Sequence, residues 1–174
     1  MLDRQERLNN RLQPEIKALK QQCKTLLLAT VDNDGIPNAS YAPFAESEKG
    51  YYIFISTIAK HARNLKQNGK VSVMLIEDEQ DSRQIFARHR LTADAEVIEI
   101  PRESEEWQQG TDLLMQRHGK LMNELIKMQD FSLFHLIPQN GLFVKGFGQA
   151  FQVATNNEVG MIHLDQGHIE GPSV

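Results

Sequence analysis

Sulfur crosslinking within the chain is closed to this sequence, because it holds a single cysteine, Cys23. Long apolar runs are missing too, and none approaches the length that crosses a bilayer. Met1 to Asn10 is polar and charged, without the apolar stretch of a secretory leader. These absences point to the cytoplasm or another reducing compartment and argue against a membrane partner. Basic residues are not concentrated anywhere, and the net charge is −4. Binding nucleic acid usually needs a basic face to neutralise phosphates, so that class is set aside. There is no zinc signature, no phosphate-binding Walker loop, no dinucleotide fingerprint and no internal repeat.

What is present is enough for one well-cored domain: 174 residues, 40% hydrophobic and 24% charged. Leu8, Leu12, Ile16, Leu19 and Cys23 recur at three to four residues, which predicts an amphipathic helix over Leu2–Cys23. Pro14 either kinks it or opens a second helix. The pattern then becomes that of strands. Thr25 to Val31 is a compact apolar run, and Asp32-Asn33-Asp34-Gly35 is a turn. Further strands are expected over Ile36–Glu46, Tyr51–Ser56, Val71–Glu77 and Ile85–Ile100, the last bending at a bulge. Thr57 is positioned to cap a short helix over Ala59–Asn68 that Gly69 ends. Pro101 opens a helical stretch to Met128, broken near Gly119. Phe131–Ile137 and Gly141–Val153 read as a last hairpin through Pro138-Gln139-Asn140-Gly141. The expected fold is mainly β with peripheral helices. Six or seven strands in hairpin order close into an antiparallel barrel, which removes exposed edges. Residues 1–22 form an N-terminal helical segment, 23–154 the barrel domain and 155–174 a C-terminal arm.

Few residues stand out chemically. Ser56-Thr57-Ile58-Ala59-Lys60 leads from a strand into a helix start and offers hydroxyls, free N–H groups and a cation to an anion. The plainer reading is an ordinary helix start with a solvated basic face. In Arg88-His89-Arg90, strand alternation would put both arginines on one face, where they could clamp an anionic group or simply be exposed. Gly146-Phe147-Gly148 falls inside an expected strand; the glycines mark a bend, or let a flat cofactor reach the backbone. His163, Asp165 and His168 fit no metal motif. His168 lies between Gly167 and Gly171, whose freedom could aim its ring into a pocket. A neutral imidazole is a common axial ligand for haem iron; a solvated histidine near a terminus is the alternative. Cys23 reads as a small buried residue of a helix face.

The order of these segments carries a resemblance. A strand ending in Ser56-Thr57, followed by Lys60-His61-Ala62-Arg63-Asn64-Leu65-Lys66-Gln67-Asn68-Gly69-Lys70-Val71-Ser72-Val73, resembles the split barrels of the pyridoxamine-phosphate-oxidase type. The run Asp130-Phe131-Ser132-Leu133-Phe134-His135-Leu136-Ile137-Pro138, then Gly141 and Lys145-Gly146-Phe147-Gly148-Gln149-Ala150, resembles the haem-utilisation branch of the HugZ and HutZ type. Ala93-Asp94 departs from it, standing where many such barrels have glycine.

The resemblance implies a homodimer of split barrels that binds haem at the subunit interface and opens the porphyrin ring. His168 would be the proximal iron ligand, and Asp130, from the partner subunit, would hydrogen-bond its other ring nitrogen. Arg90 would meet a propionate or the distal side, and His61, Gly146 and Gly148 would line the pocket. Catalysis would rest on Asp130, His168 and Arg90, with electrons from an external donor or reductase. Two alternatives share the fold. In an FMN-dependent oxidoreductase, Ser56, Thr57, Lys60 and Arg90 would hold the flavin phosphate. A non-catalytic haem carrier or store would keep His168 and Asp130.

Overall fold

A computed structural model describes residues 3–154 and 159–161. Helix α1, Arg4–Gln22, starts at a capping box between Asp3 and Glu6 and continues through Pro14. Strands β1 (Thr25–Val31), β2 (Pro37–Ser47) and β3 (Gly50–Ser56) follow as antiparallel neighbours. Helix α2 (Lys60–Asn68) leads to β4 (Lys70–Ile76), and β5 runs Arg90–Ile100. Helices α3 (Glu105–His118) and α4 (Leu121–Leu125) separate at Gly119, as the sequence suggests. The chain closes with β6 (Phe131–Gly146), β7 (Gln149–Val153) and β8 (Val159–Met161).

The strands are ordered β3-β2-β1-β4-β5-β6-β7-β8, and β3 also pairs with β6. That second pairing closes six strands into a barrel and leaves no open edge among them. The long strand β6 makes the split possible. Its first half lies between β3 and β5, and its second half between β5 and β7.

A continuous core fills the barrel, with Phe44, Phe134, Phe143, Leu26, Leu28 and Ile53 fully buried, and Leu12, Ile16 and Leu19 of α1 packed into it. A second cluster lies outside the barrel under α3, around Tyr52, Phe54, Trp107, Leu114 and Leu133. Because β3 has this cluster on one side and the barrel core on the other, five successive residues, Tyr51 to Ile55, are buried. Strand β1 instead alternates exposed and buried along its whole length. Its outer face carries no helix.

Four expectations need correction. Ile85–Ile100 is not one strand: Ile85–Ala87 is a single 3₁₀ turn and β5 begins at Arg90. Arg88 and His89 therefore precede the strand. Arg88 is folded back, with Nε donating to the Glu77 carbonyl at 3.1 Å and Nη1 3.3 Å from Glu79, so it makes no pair with Arg90. Pro138 to Gly141 is not a turn either. β6 passes through it, and the extra residue is absorbed as a bulge where Ala93 faces Gly141 and Ala95 faces Pro138. The bend that glycine would give at Ala93-Asp94 comes from across the ladder, where a Cβ on Gly141 would stand 3.3 Å from the Thr92 carbonyl oxygen. The real hairpin is Phe147-Gly148, with Gly148 at φ +66°, a left-handed conformation that favours glycine. Gly146 is thus the end of a strand and Gly148 part of a turn, and neither lies in a strand interior. Finally, α2 is capped by Ala59 and has no side-chain cap from Thr57.

Candidate functional site

The outer face of β2-β1-β4-β5-β6-β7 is a continuous surface set by the ladder. One row across it runs Tyr41, Leu27, Met74, Thr92, Leu142, Gln152, each paired with the next. Tyr41 is 63% exposed and Leu27 40%, although both belong to a regular sheet. Two residues along the strands, the next row on that face runs Ile76, Arg90, Val144, Ala150. Arg90 is therefore set among apolar neighbours. It is half-buried, and its guanidinium makes no hydrogen bond or ion pair among the described residues. The chemistry of a cation set among apolar neighbours matches a ligand that is flat, apolar and negatively charged at an edge. Gly146 and Gly148 lie at this end of β6, with open space where each Cβ would be. If Arg90 anchors an anionic edge, Arg90→Ala will weaken hemin binding about tenfold, the loss of one charge-assisted pair. A Soret titration at two salt concentrations measures it, and the mutant should be the less salt-sensitive protein.

Asp130 is placed elsewhere. It precedes β6, and the loop before it is clamped by Arg102, which donates from Nη1 to the Ile126 carbonyl (2.8 Å) and from Nη2 to those of Met128 (2.8 Å) and Phe131 (2.9 Å). The Arg102 guanidinium also lies 5.3 Å from the Trp107 ring centroid. On the other side, the Thr57 amide donates to the Asp130 carbonyl at 2.6 Å, and the Ser56 hydroxyl to its Oδ2 at 3.0 Å. Its Oδ1 has no partner among the described residues. His61 lies on the first turn of α2, just beyond Ser56 and Thr57. Burial pushes its imidazole below the ordinary value, which keeps it neutral near pH 7. His163 and His168 lie outside the described residues.

The structure thus puts Asp130, Ser56 and His61 at one end of β6, and Arg90, Gly146 and Gly148 at the other. Val144, which faces Arg90, follows Asp130 by fourteen residues, a path along the chain of roughly 46 Å at about 3.3 Å per residue. Two of the four groups named for a flavin phosphate are engaged elsewhere. The Ser56 hydroxyl goes to Asp130, and Lys60 Nζ stands 3.4 Å from Asp32 Oδ2.

A further polar cluster escaped the sequence reading. His135 is buried, with Nδ1 2.9 Å from Glu106 Oε1 and Nε2 3.2 Å from the Ser47 hydroxyl, and its ring stacks on Tyr52 at 4.2 Å. The Tyr52 hydroxyl donates to the same Glu106 oxygen, and burial followed by that carboxylate pushes its pKa up to about 12. This network ties α3 to β3 and β6. Only a histidine placed within an apolar run hinted at it.

Comparison with known proteins agrees with this architecture. Residues 12–145 match the family model for pyridoxamine 5'-phosphate oxidase. The heme oxygenase HutZ of Vibrio cholerae serotype O1 is 53% identical over 165 residues, which is 95% of this chain and 94% of that protein. A crystal structure of HutZ from Vibrio cholerae, described there as a heme storage protein, superposes with a TM-score of 0.75 at 54% identity, covering 79% of this chain and 97% of that one. Campylobacter jejuni ChuZ gives a TM-score of 0.83 at 28% identity, covering 93% of this chain and 66% of that one. The six-stranded closure and the likeness along nearly the whole chain lead to one conclusion: this chain belongs to the pyridoxamine 5'-phosphate oxidase family of split barrels, in the group that contains HutZ.

Proposed function

We propose that this protein binds haem between two copies of itself and degrades it, releasing iron for use in the cytoplasm. Arg90 carries the reading: half-buried between Ile76 and Val144 on a sheet face, and with no counter-ion among the described residues, it suits the propionate edge of a macrocycle. The relative named a heme oxygenase supports turnover over storage. Haem, when bound, supplies the redox and oxygen chemistry that opens its own ring, with electrons from an external donor. The chain's residues do the rest. Arg90 anchors and orients the ligand. His168, on the arm 155–174, supplies the imidazole for iron. The Asp130 carboxylate accepts a hydrogen bond from the other N–H of that imidazole, which fixes the ring and raises its donor strength. The apolar row from Tyr41 to Leu142 excludes water from the face.

The same row supports a homodimer. It exposes Leu27, Tyr41 and Leu142 together on one sheet face, and Asp130 and Arg90 lie toward opposite ends of β6 on one subunit. A second copy brings the partner's end of β6 to the face that carries Arg90. Mixed dimers test this composite site. Subunits with His168→Ala and subunits with Asp130→Asn are each expected to be inactive alone. Coexpressed, their heterodimers regain one intact site of two if His168 and Asp130 come from different subunits. No recovery in a verified heterodimer would place both in one subunit and refute the shared site.

A further inference from the structure

Ser56 is the last residue of β3, and its hydroxyl sits inside a short hydrogen-bond chain. It accepts from the Ile58 amide at 3.3 Å and donates to Asp130 Oδ2 at 3.0 Å. The first contact matters for the second. An oxygen already occupied by an N–H directs its own proton elsewhere, and the Asp130 carboxylate is the acceptor in reach. The backbone holds the two residues in place, since the Thr57 amide donates to the Asp130 carbonyl at 2.6 Å and Ser56 faces Phe131 in the β3–β6 ladder. Asp130 therefore has one carboxylate oxygen fixed by Ser56 and the other, Oδ1, without a partner among the described residues.

From this arrangement we infer that Ser56 is a positioning residue: it locks the Asp130 carboxylate so that Oδ1 is presented to the histidine that holds the haem iron. The inference rests on the haem reading and deepens it. Asp130 is half-buried and follows a loop of short turns, so without Ser56 its carboxylate is free to rotate about Cα–Cβ and Cβ–Cγ into solvent. A hydrogen bond to imidazole made by a rotating carboxylate is populated only part of the time.

Losing Ser56 has two effects of opposite sign. A carboxylate released from one donor becomes a better acceptor for the imidazole, which strengthens the iron–imidazole bond. A carboxylate released from its anchor turns away, which weakens that bond. The positioning role requires the second effect to dominate, and a spectroscopic readout separates them.

The test uses full-length protein loaded with hemin and reduced anaerobically. Resonance Raman spectroscopy measures the iron–imidazole stretch, and a Soret titration measures affinity. Ser56→Ala should shift the stretch toward the value in Asp130→Asn. It should also weaken hemin binding roughly fivefold, less than the 10–100-fold that direct loss of an outer-shell partner costs. Ser56→Thr keeps a hydroxyl at a strand position that tolerates β-branching, and should restore both values. A stretch unchanged in Ser56→Ala, or shifted away from Asp130→Asn, overturns the inference. If the Soret band itself survives His168→Ala, the iron-ligand role of His168 falls and takes this inference with it. If the band needs His168 but ignores Ser56, the inference alone falls.

Discussion

Replacing His168 with alanine is expected to abolish the saturable Soret band and haem turnover together. Of the six histidines, His61 is helical and half-buried, His118 is 2.8 Å from the Phe44 carbonyl, and His135 is enclosed by Glu106 and Ser47. His89, just before β5, lies 3.8 Å from Glu77. None of these four is free, exposed and mounted on a segment able to reach across to another subunit. His163 and His168 lie outside the described residues, and the proposal gives that task to His168. Losing an iron ligand should lower hemin affinity by more than about 100-fold, beyond the 10–100-fold typical for loss of an outer-shell partner. Absorption titration of His168→Ala against wild type measures it. A comparable loss in His61→Ala, with His168→Ala unaffected, would transfer the ligand role to α2.

Gly50→Ala should be the most damaging small change to the fold. Gly50 opens β3 with φ +156°, and a Cβ there would fall 2.0 Å from the Leu136 carbonyl oxygen and 2.8 Å from Pro138 Cδ. The first contact is with backbone and cannot be relieved by a rotamer. Relief requires β3 to part from β6, the pairing that closes the barrel and carries Asp130 beside Ser56. We expect a loss of about 3 kcal/mol, the upper part of the overpacking range. For a chain of this size that lowers Tm by roughly 6–12 °C. Calorimetry on the apo protein checks this, and an unchanged Tm would mean that β3 and β6 are less closely joined than described.

The parts of the fold that follow from local pattern were legible in the sequence. The heptad-like spacing of Leu12, Ile16 and Leu19 marked α1, and Gly69 ended α2 in the left-handed conformation expected of it. The compact apolar run Thr25–Val31, bounded by the turn Asp32–Gly35, marked β1. The errors fell where tertiary pairing overrides local signals. Pro138-Gln139-Asn140-Gly141 has turn composition, yet the ladders with β5 on one side and β3 and β7 on the other draw it into a strand, at the cost of a bulge. Phe147, with an aromatic ring and no turn preference, sits at the hairpin because its glycine neighbours supply the backbone freedom. Arg88 looked like the twin of Arg90 in a one-dimensional alternation. The 3₁₀ turn before it reoriented the chain and left Arg90 alone on the sheet face.

The site was legible as residue types and not as an arrangement. Arg90 and Asp130 could be named from the chain, but the length of β6 that separates them could not. Neither could the hydrogen bond by which Ser56, a residue otherwise suited to a phosphate, is committed to Asp130. That contact joins residues 74 positions apart in the chain, and only closure of β3 on β6 produces it.

The most direct test of the account is a hemin titration of the purified wild-type protein, followed by ascorbate in air with a ferrous-iron chelator present. The account predicts a sharp Soret band saturating at about one haem per subunit, as a single imidazole-ligated site requires. It then predicts decay of that band with matching appearance of chelated iron. A Soret band that forms but persists under ascorbate, with no iron released, would contradict degradation and leave a protein that only holds haem.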